Sequence, residues 1–598
     1  MATPQLSPGV LVREVDLTVG RADNVLDNIG AIAGPFKMGP VNDAIDITTE
    51  QELINVFGKP LSTDSQYQYW MSAASYLSYG GVLKVVRTAG STLQNANAGV
   101  GVAYTTMTGS ARIDNYDDYL NEHTEATNFN YAAKNPGSWA NNLKVCFIDD
   151  QADQVIGITT SNLKSAGFTV GYGVTAQLPA NSVIPGAGTT TAFNGYLKGI
   201  ITGVSTDATN SASTINVKIT QRVSTTGVLS ATDYQEGTSF AAFDTSDAVW
   251  PVNNSGSLST VTAYTPATVA DWYDAQTLDL TNSIVYWKEI APKPTTNKYV
   301  LDRKGKNDAC HIVVVDDLGD VTGIQGALLE KHISLSKALD AISAVNSPQK
   351  IWYEQFLADF SDQVYAGGNP SSAADSYWGT APRATGFSTQ FQANTFASGQ
   401  WNQEAQGISF SALGNVSYTL LGGVDYSSTG GMQATLGNLK TSYELFNNKD
   451  ETDVDYILMG PSGTSLLQSQ AKANLVISIA NSRKDCIACV SPHREGIVGV
   501  TNATTQTNNV LEFYSSVNSS SYAVFDSTWK YTYDRFNNEF RYIPCNGDTA
   551  GLCVRTSTNA FPWFSPAGAR RGILNLSLIH ISEPTRPERI GGGGVWVE

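Results

Sequence analysis

From Val454 to Val490 the chain passes through an apolar stretch, Val454–Met459, a turn at Gly460-Pro461-Ser462-Gly463, a helically spaced segment over Leu466–Asn481, and a second apolar stretch over Cys486–Val490. Strand, helix and strand in that succession call for a parallel pair joined by a crossover, which only a sheet covered by helices can bury. A helix around Tyr443–Phe446 precedes the unit. This part of the chain therefore reads as an α/β core.

A second unit of the same kind lies near the N-terminus. Gly39-Pro40 leads into a short strand at Ile45–Thr48, and Thr49-Glu50-Gln51-Glu52 has the form of a capping box, with Leu53, Val56 and Phe57 on one face and Gly58 as the stop. From Ser65, the residues Tyr67, Trp70, Met71, Ala74 and Leu77 recur at helical spacing, and Gly80-Gly81 ends the helix before the strand Val82–Arg87. Residues 92–130 and 150–300 lose that periodicity and are rich in Thr, Ser, Ala and Gly, as inserted β domains would be. Between them, Ala132–Val145 is a turn-rich connector anchored by Trp139, leading into a strand over Leu143–Ile148. His311–Thr322 reads as a buried strand, a tight turn and a second short strand, and Leu328–Ser336 as a helix.

With 598 residues, two to four domains are expected. Only 15% of residues are charged, so part of the surface is expected to face neighbours rather than water. A net charge of −17 without a Lys/Arg cluster argues against direct nucleic-acid binding. No run approaches the roughly 18 apolar residues of a membrane span, and the first residues lack the basic and apolar regions of a signal peptide, so no direct membrane contact and synthesis in a cytoplasm are expected.

Candidate chemistry is sparse. Six cysteines are too few for a disulfide framework, and Cys486 and Cys489 read as buried strand thiols because no second pair completes a zinc site. Asp316, Asp317 and Asp320 lack the further ligands of a calcium loop. Gly460–Ser465 sits where a phosphate loop would but lacks its lysine, so it reads as a strand-to-helix cap. None of the five histidines lies in a catalytic motif. No catalytic, cofactor-binding or metal residue is assigned, and no cofactor is expected.

In order along the chain, Ser7-Pro8-Gly9-Val10, Gly39-Pro40, Phe57-Gly58, Lys134–Asn142, Val454–Pro461, Trp529–Arg535 and Phe561–Gly568 resemble the tail sheath proteins of T4-like contractile bacteriophages. The resemblance spans nearly residues 1 to 575. It implies an α+β multidomain protein, an α/β sheath core with inserted β-rich outer domains and an extended terminal arm. The corresponding division is 1–20 arm, 21–91 first part of the body, 92–130 β-rich insertion, 131–149 connector and return strand, 150–300 outer insertion, 301–360 body continued, and 361–575 sheath core.

Such a subunit would be a virion component assembled in the bacterial host cytoplasm. It would stack as hexameric rings around the tail tube protein, meet baseplate and tail terminator proteins, and contract to drive the tube through the host envelope. The resemblance also implies strand exchange between subunits by the N-terminal arm, Val10, Leu11, Val12, Arg13, Glu14, Val15 and Asp16, which by its residues reads as an arm available for pairing, with a local edge strand as the alternative. A tail fibre or adhesin would share the Thr/Gly-rich β segments and acidic balance, though the α/β core speaks against it. A polysaccharide hydrolase with paired carboxylates is a third reading.

Leu576–Arg586 matches the translation of a transposase sequencing adapter, and residues 576–598 are read as foreign to the rest, with the natural chain expected to continue past Asn575.

Overall fold

The computed structural model describes residues 28–98, 111–124, 128–166, 173–176, 195–206, 212–224, 249–252, 264–343, 348–367, 397–399, 401–426, 432–568 and 571–574, with a few isolated positions between them. It is a mixed α/β structure with several sheets. The arm Val10–Asp16 and residues 576–598 lie outside the described residues.

The principal sheet has six strands in the order Ala44–Ile47, Val82–Arg87, Ile29–Gly34, Tyr456–Leu458, Ile487–Val490, Ala523–Phe525. All neighbours are parallel except the first pair. Its central strands are apolar runs because helices cover both faces: Ala31, Ile32, Ile457, Leu458 and Ala488 are wholly buried. Helix Glu50–Phe57 is N-capped by Thr49, whose hydroxyl accepts from the Glu52 amide at 3.2 Å. The Glu52 carboxylate reaches one residue further back than a capping box requires, accepting from the amide and hydroxyl of Thr48 at 2.9 Å.

Helix Gln66–Leu77 forms where its spacing indicated, but its buried side is wider. Trp70 and Leu77 are buried as expected, while Tyr69, Ser72, Ala73 and Tyr76 are buried in place of Tyr67, Met71 and Ala74. The reason is a second cover. Gly547, at the start of helix Asn546–Asn559, packs so closely that a Cβ there would lie 2.4 Å from the Ser72 carbonyl oxygen.

A four-stranded antiparallel sheet follows the order Ala327–Ser336, Ala309–Asp316, Leu143–Asp149, Asn415–Thr419. The helix expected over Leu328–Ser336 is thus a strand. Ala309–Asp316 is buried along its whole length and needs hydrogen-bonding neighbours on both sides, and Ala327–Ser336 supplies one of them. The short second strand expected before Thr322 is a turn, with Asp316 accepting from the amides of Val321 and Thr322. Residues 92–130 include, among those described, a two-residue strand at Asn97–Ala98 and a helical turn over Tyr116–His123.

Six further strands, Val249–Val252, Gly173–Ala176, Gly195–Thr206, Ala212–Ser224, Gln154–Thr159 and Thr268–Asp271, form an antiparallel sheet with its own apolar cluster around Ile156, Ile201, Ile215 and Val217. Where the chain enters this sheet and where it returns, four ions meet. Lys218 Nζ lies 2.5 Å from Asp150 and 3.1 Å from Asp153, and Lys293 Nζ lies 2.9 and 2.7 Å from the same carboxylates.

Burial pulls the Asp153 carboxyl upward, but the ammonium groups of Lys218 and Lys293 outweigh it and hold it down at about 2. A carboxylate held below its unfolded value of about 3.9 stabilises the fold above that pH, and the stability is lost as pH falls through the folded value. Asp153→Asn is therefore expected to lower the urea midpoint by a constant amount from pH 7 to about 4, and by a shrinking amount as the pH drops toward about 2. Urea titrations at each pH check this; a difference that grows on acidification contradicts it.

Candidate assembly surface

The segments suspected of chemistry resolve into structural roles. Asp317 accepts from the Thr281 amide and hydroxyl and pairs with Lys144 at 3.1 Å, and Asp320 accepts from Asn142, so the three aspartates of that turn are each tied to different groups. Cys486 and Cys489 are buried at one edge of the Ile487–Val490 strand and its approach, where burial pushes the Cys486 thiol up to about 12. In the loop Gly460–Ser465, Ser465 caps helix Leu466–Arg483 by accepting from the Gln468 amide, while the Thr464 hydroxyl donates to the Gln468 side chain at 2.6 Å.

One arrangement was not foreseen from the sequence. Ser469 Oγ lies 2.8 Å from His493 Nδ1, and His493 Nε2 lies 2.9 Å from Glu495. The order resembles a Ser-His-acid relay, but Ser469 is wholly buried and its hydroxyl also lies 2.8 Å from the Ser465 carbonyl on its own helix. A nucleophile must reach a substrate carbonyl, and this one is enclosed.

The surface with a clear capacity for partners is a β-hairpin, Trp529–Asp534 paired in register with Glu539–Pro544. Its sequence alternates, so one face carries Tyr531, Tyr533, Phe540 and Tyr542 and the other Lys530, Thr532, Asp534, Arg541 and Ile543. Asp534 closes the turn by accepting from the amides of Phe536 and Asn537, and Asn538 takes the left-handed conformation at φ +54°.

The inner face is locked to the body. Arg541 Nε lies 3.1 Å from Asp534, its guanidinium donates to the Ser62 carbonyl and sits 4.1 Å over the Tyr67 ring, and Lys530 pairs with buried Asp548 at 2.7 Å. The aromatic face is buried at its base, where Trp529 donates to the Pro492 carbonyl, and turned outward beyond it, where Tyr531 is 55% and Phe540 49% exposed, stacked 5.3 Å apart. Among the described residues neither strand has a second neighbour. A two-stranded ribbon with both edges open and an aromatic face uncovered is a template for further strands. Near the end of the described chain, Phe561, Trp563 and Phe564 form another exposed group, Phe561 and Trp563 stacking at 4.6 Å.

In the sequence, the signal for this hairpin is the period-two alternation from Trp529 running into the Asn537-Asn538 turn.

No protein-family model matches the chain. Among curated proteins it is 23% identical over 600 residues to the tail sheath protein of Enterobacteria phage T4, covering 97% of this chain and 77% of that one. It is 24% identical over 584 residues to the tail sheath protein of Salmonella phage ViI, covering 96% and 74%. A third match is to the tail sheath protein of Vibrio phage KVP40, 36% identical over 118 residues, or 18% of each chain. Among solved structures, a sheath tail protein from Listeria innocua aligns with TM-score 0.28 and 8% identity over 90% of this chain and 57% of that one. One from Desulfitobacterium hafniense aligns with TM-score 0.29 and 7% identity over 92% and 62%. The chain thus spans less than two thirds of the length of either solved chain.

Proposed function

We propose that this chain, a relative of the phage tail sheath proteins, is itself a structural subunit of a contractile tail sheath. It polymerises as stacked hexameric rings around a tail tube, bounded by baseplate and terminator proteins, and contracts to drive the tube through the host envelope. The observation that carries this reading is the match to named tail sheath proteins over almost the whole chain. The open-edged hairpin supports it, because it offers strands to which a neighbour's arm adds.

In this scheme Val10–Asp16 of one subunit pairs with an edge of the Trp529–Pro544 hairpin of another. Main-chain hydrogen bonds then tether subunits that still rotate relative to one another. Energy for contraction is stored in a metastable packing and released as better interfaces form, so no nucleotide is required.

Electron microscopy of the chain carrying its natural sequence after Asn575, purified and mixed with its tube protein, tests the proposal. Hollow tubes or hexameric rings are expected. Monomers, or slender trimers of the kind a fibre forms, overturn it.

A further inference from the structure

The principal sheet reverses its winding between Ile29–Gly34 and Tyr456–Leu458. From the first of these the chain crosses to Val82–Arg87 on one side; from the second it proceeds to Ile487–Val490 and Ala523–Phe525 on the other. In open α/β sheets the crevice outside the carboxyl ends of the strands at such a reversal is where ligands bind. Here those carboxyl ends run into Pro35 and into the loop Gly460–Ser465, and both line a cavity of about 70 Å³.

Lys472, from the second turn of helix Leu466–Arg483, lines the same cavity and is 1% exposed. Its ammonium donates to Pro461 O at 2.8 Å and to Tyr69 Oη at 3.1 Å, and lies 4.4 Å from the Tyr69 ring centre. All three are uncharged, and among the described residues no carboxylate pairs with it. The Asp64 carboxylate, next to Ser65 on the cavity wall, is engaged by the Met432 amide at 2.6 Å and by Gln433. Burial alone pushes the lysine down to about 7.

A buried ammonium without a counter-charge is costly, so Lys472 either gives up its proton or gains an anion beside it. The lining adds the hydroxyls of Ser462 and Ser65 and the side-chain amides of Gln433 and Gln468, the Thr464 hydroxyl being taken by Gln468, and the volume exceeds that of one water but excludes a nucleotide. We propose that this switch-point cavity binds a small tetrahedral oxyanion of the inorganic phosphate class, with Lys472 as its counter-ion. The site differs from a phosphate loop in that its lysine comes from the helix rather than from the glycine-rich turn. Bound there, the anion bridges the two halves of the sheet, which come from distant parts of the chain.

Thermal unfolding of the full chain in sodium sulfate against sodium chloride at equal ionic strength tests this. Sulfate raises the stability of folded proteins generally, so the informative quantity is the difference between wild type and Lys472→Met. The proposal expects a sulfate-specific rise in midpoint that saturates with concentration in wild type and is lost in the variant. Equal, non-saturating rises in both overturn it. Should Lys472→Met fail to fold, selenate soaked into wild-type crystals gives the second reading: an anomalous peak within hydrogen-bond distance of Lys472 Nζ is expected, and an empty cavity at the highest selenate concentration the crystals tolerate overturns the assignment.

Discussion

Asp149→Ala is expected to destabilise the protein by about 3–5 kcal/mol, the cost of leaving a buried charge without its partner. Lys337 Nζ lies 2.7 Å from Asp149, and both side chains are wholly enclosed. The remaining donors of Lys337 go to the carbonyls of Asn307 and Ser411, and Asp149 accepts from the amides of Leu413 and Gly414 at 2.7 Å. Removing the carboxylate strands an ammonium and two amides inside the structure. Lys337→Met in the same background removes the stranded charge and is expected to recover part of the loss. Urea unfolding of the two single variants and the double variant measures the coupling directly; additive effects would contradict this account of the pair.

That pair also marks how far the sequence could be read. Its members are 188 residues apart, and nothing in the local pattern of either points to the other. By contrast, the unit Val454–Val490 was legible because helix spacing, a Ser cap and two apolar strands all agree within one short stretch. The error at Ala327–Ser336 has the opposite origin. Leu328, Leu329, His332 and Ile333 have helical spacing, and pairing with a strand buried along its length overrides it. The wider buried side of Gln66–Leu77 likewise depended on Gly547, distant in sequence. Of the candidate surface, alternation over Trp529–Pro544 was visible, whereas its exposure follows only from which face the Asp534–Arg541 and Lys530–Asp548 pairs tie down.

The second large effect concerns assembly. Under the proposed arm exchange, deleting residues 1–16, or placing proline at Val12, is expected to abolish polymerisation while changing the unfolding free energy of the monomer by no more than about 0.5 kcal/mol. Proline removes an amide and fixes φ, so under the proposed exchange the arm loses part of the hydrogen-bond ladder it would add to a neighbour. Exchanging Tyr531 and Phe540 for serine is expected to weaken assembly less, because it removes side-chain contacts and leaves the edges open. Sedimentation of assembled material against calorimetry of the monomer separates the two quantities. Normal polymers from the deleted chain would overturn strand exchange by the arm.

The claim that this chain is a sheath subunit is tested most directly on the particle that contains it. Gold-labelled antibody against the chain, applied to intact virions and viewed by electron microscopy, is expected to decorate the tail along its full length, with the labelled zone shortening and thickening after contraction. Label confined to the tips of fibres, or absent from the tail shaft, would contradict it.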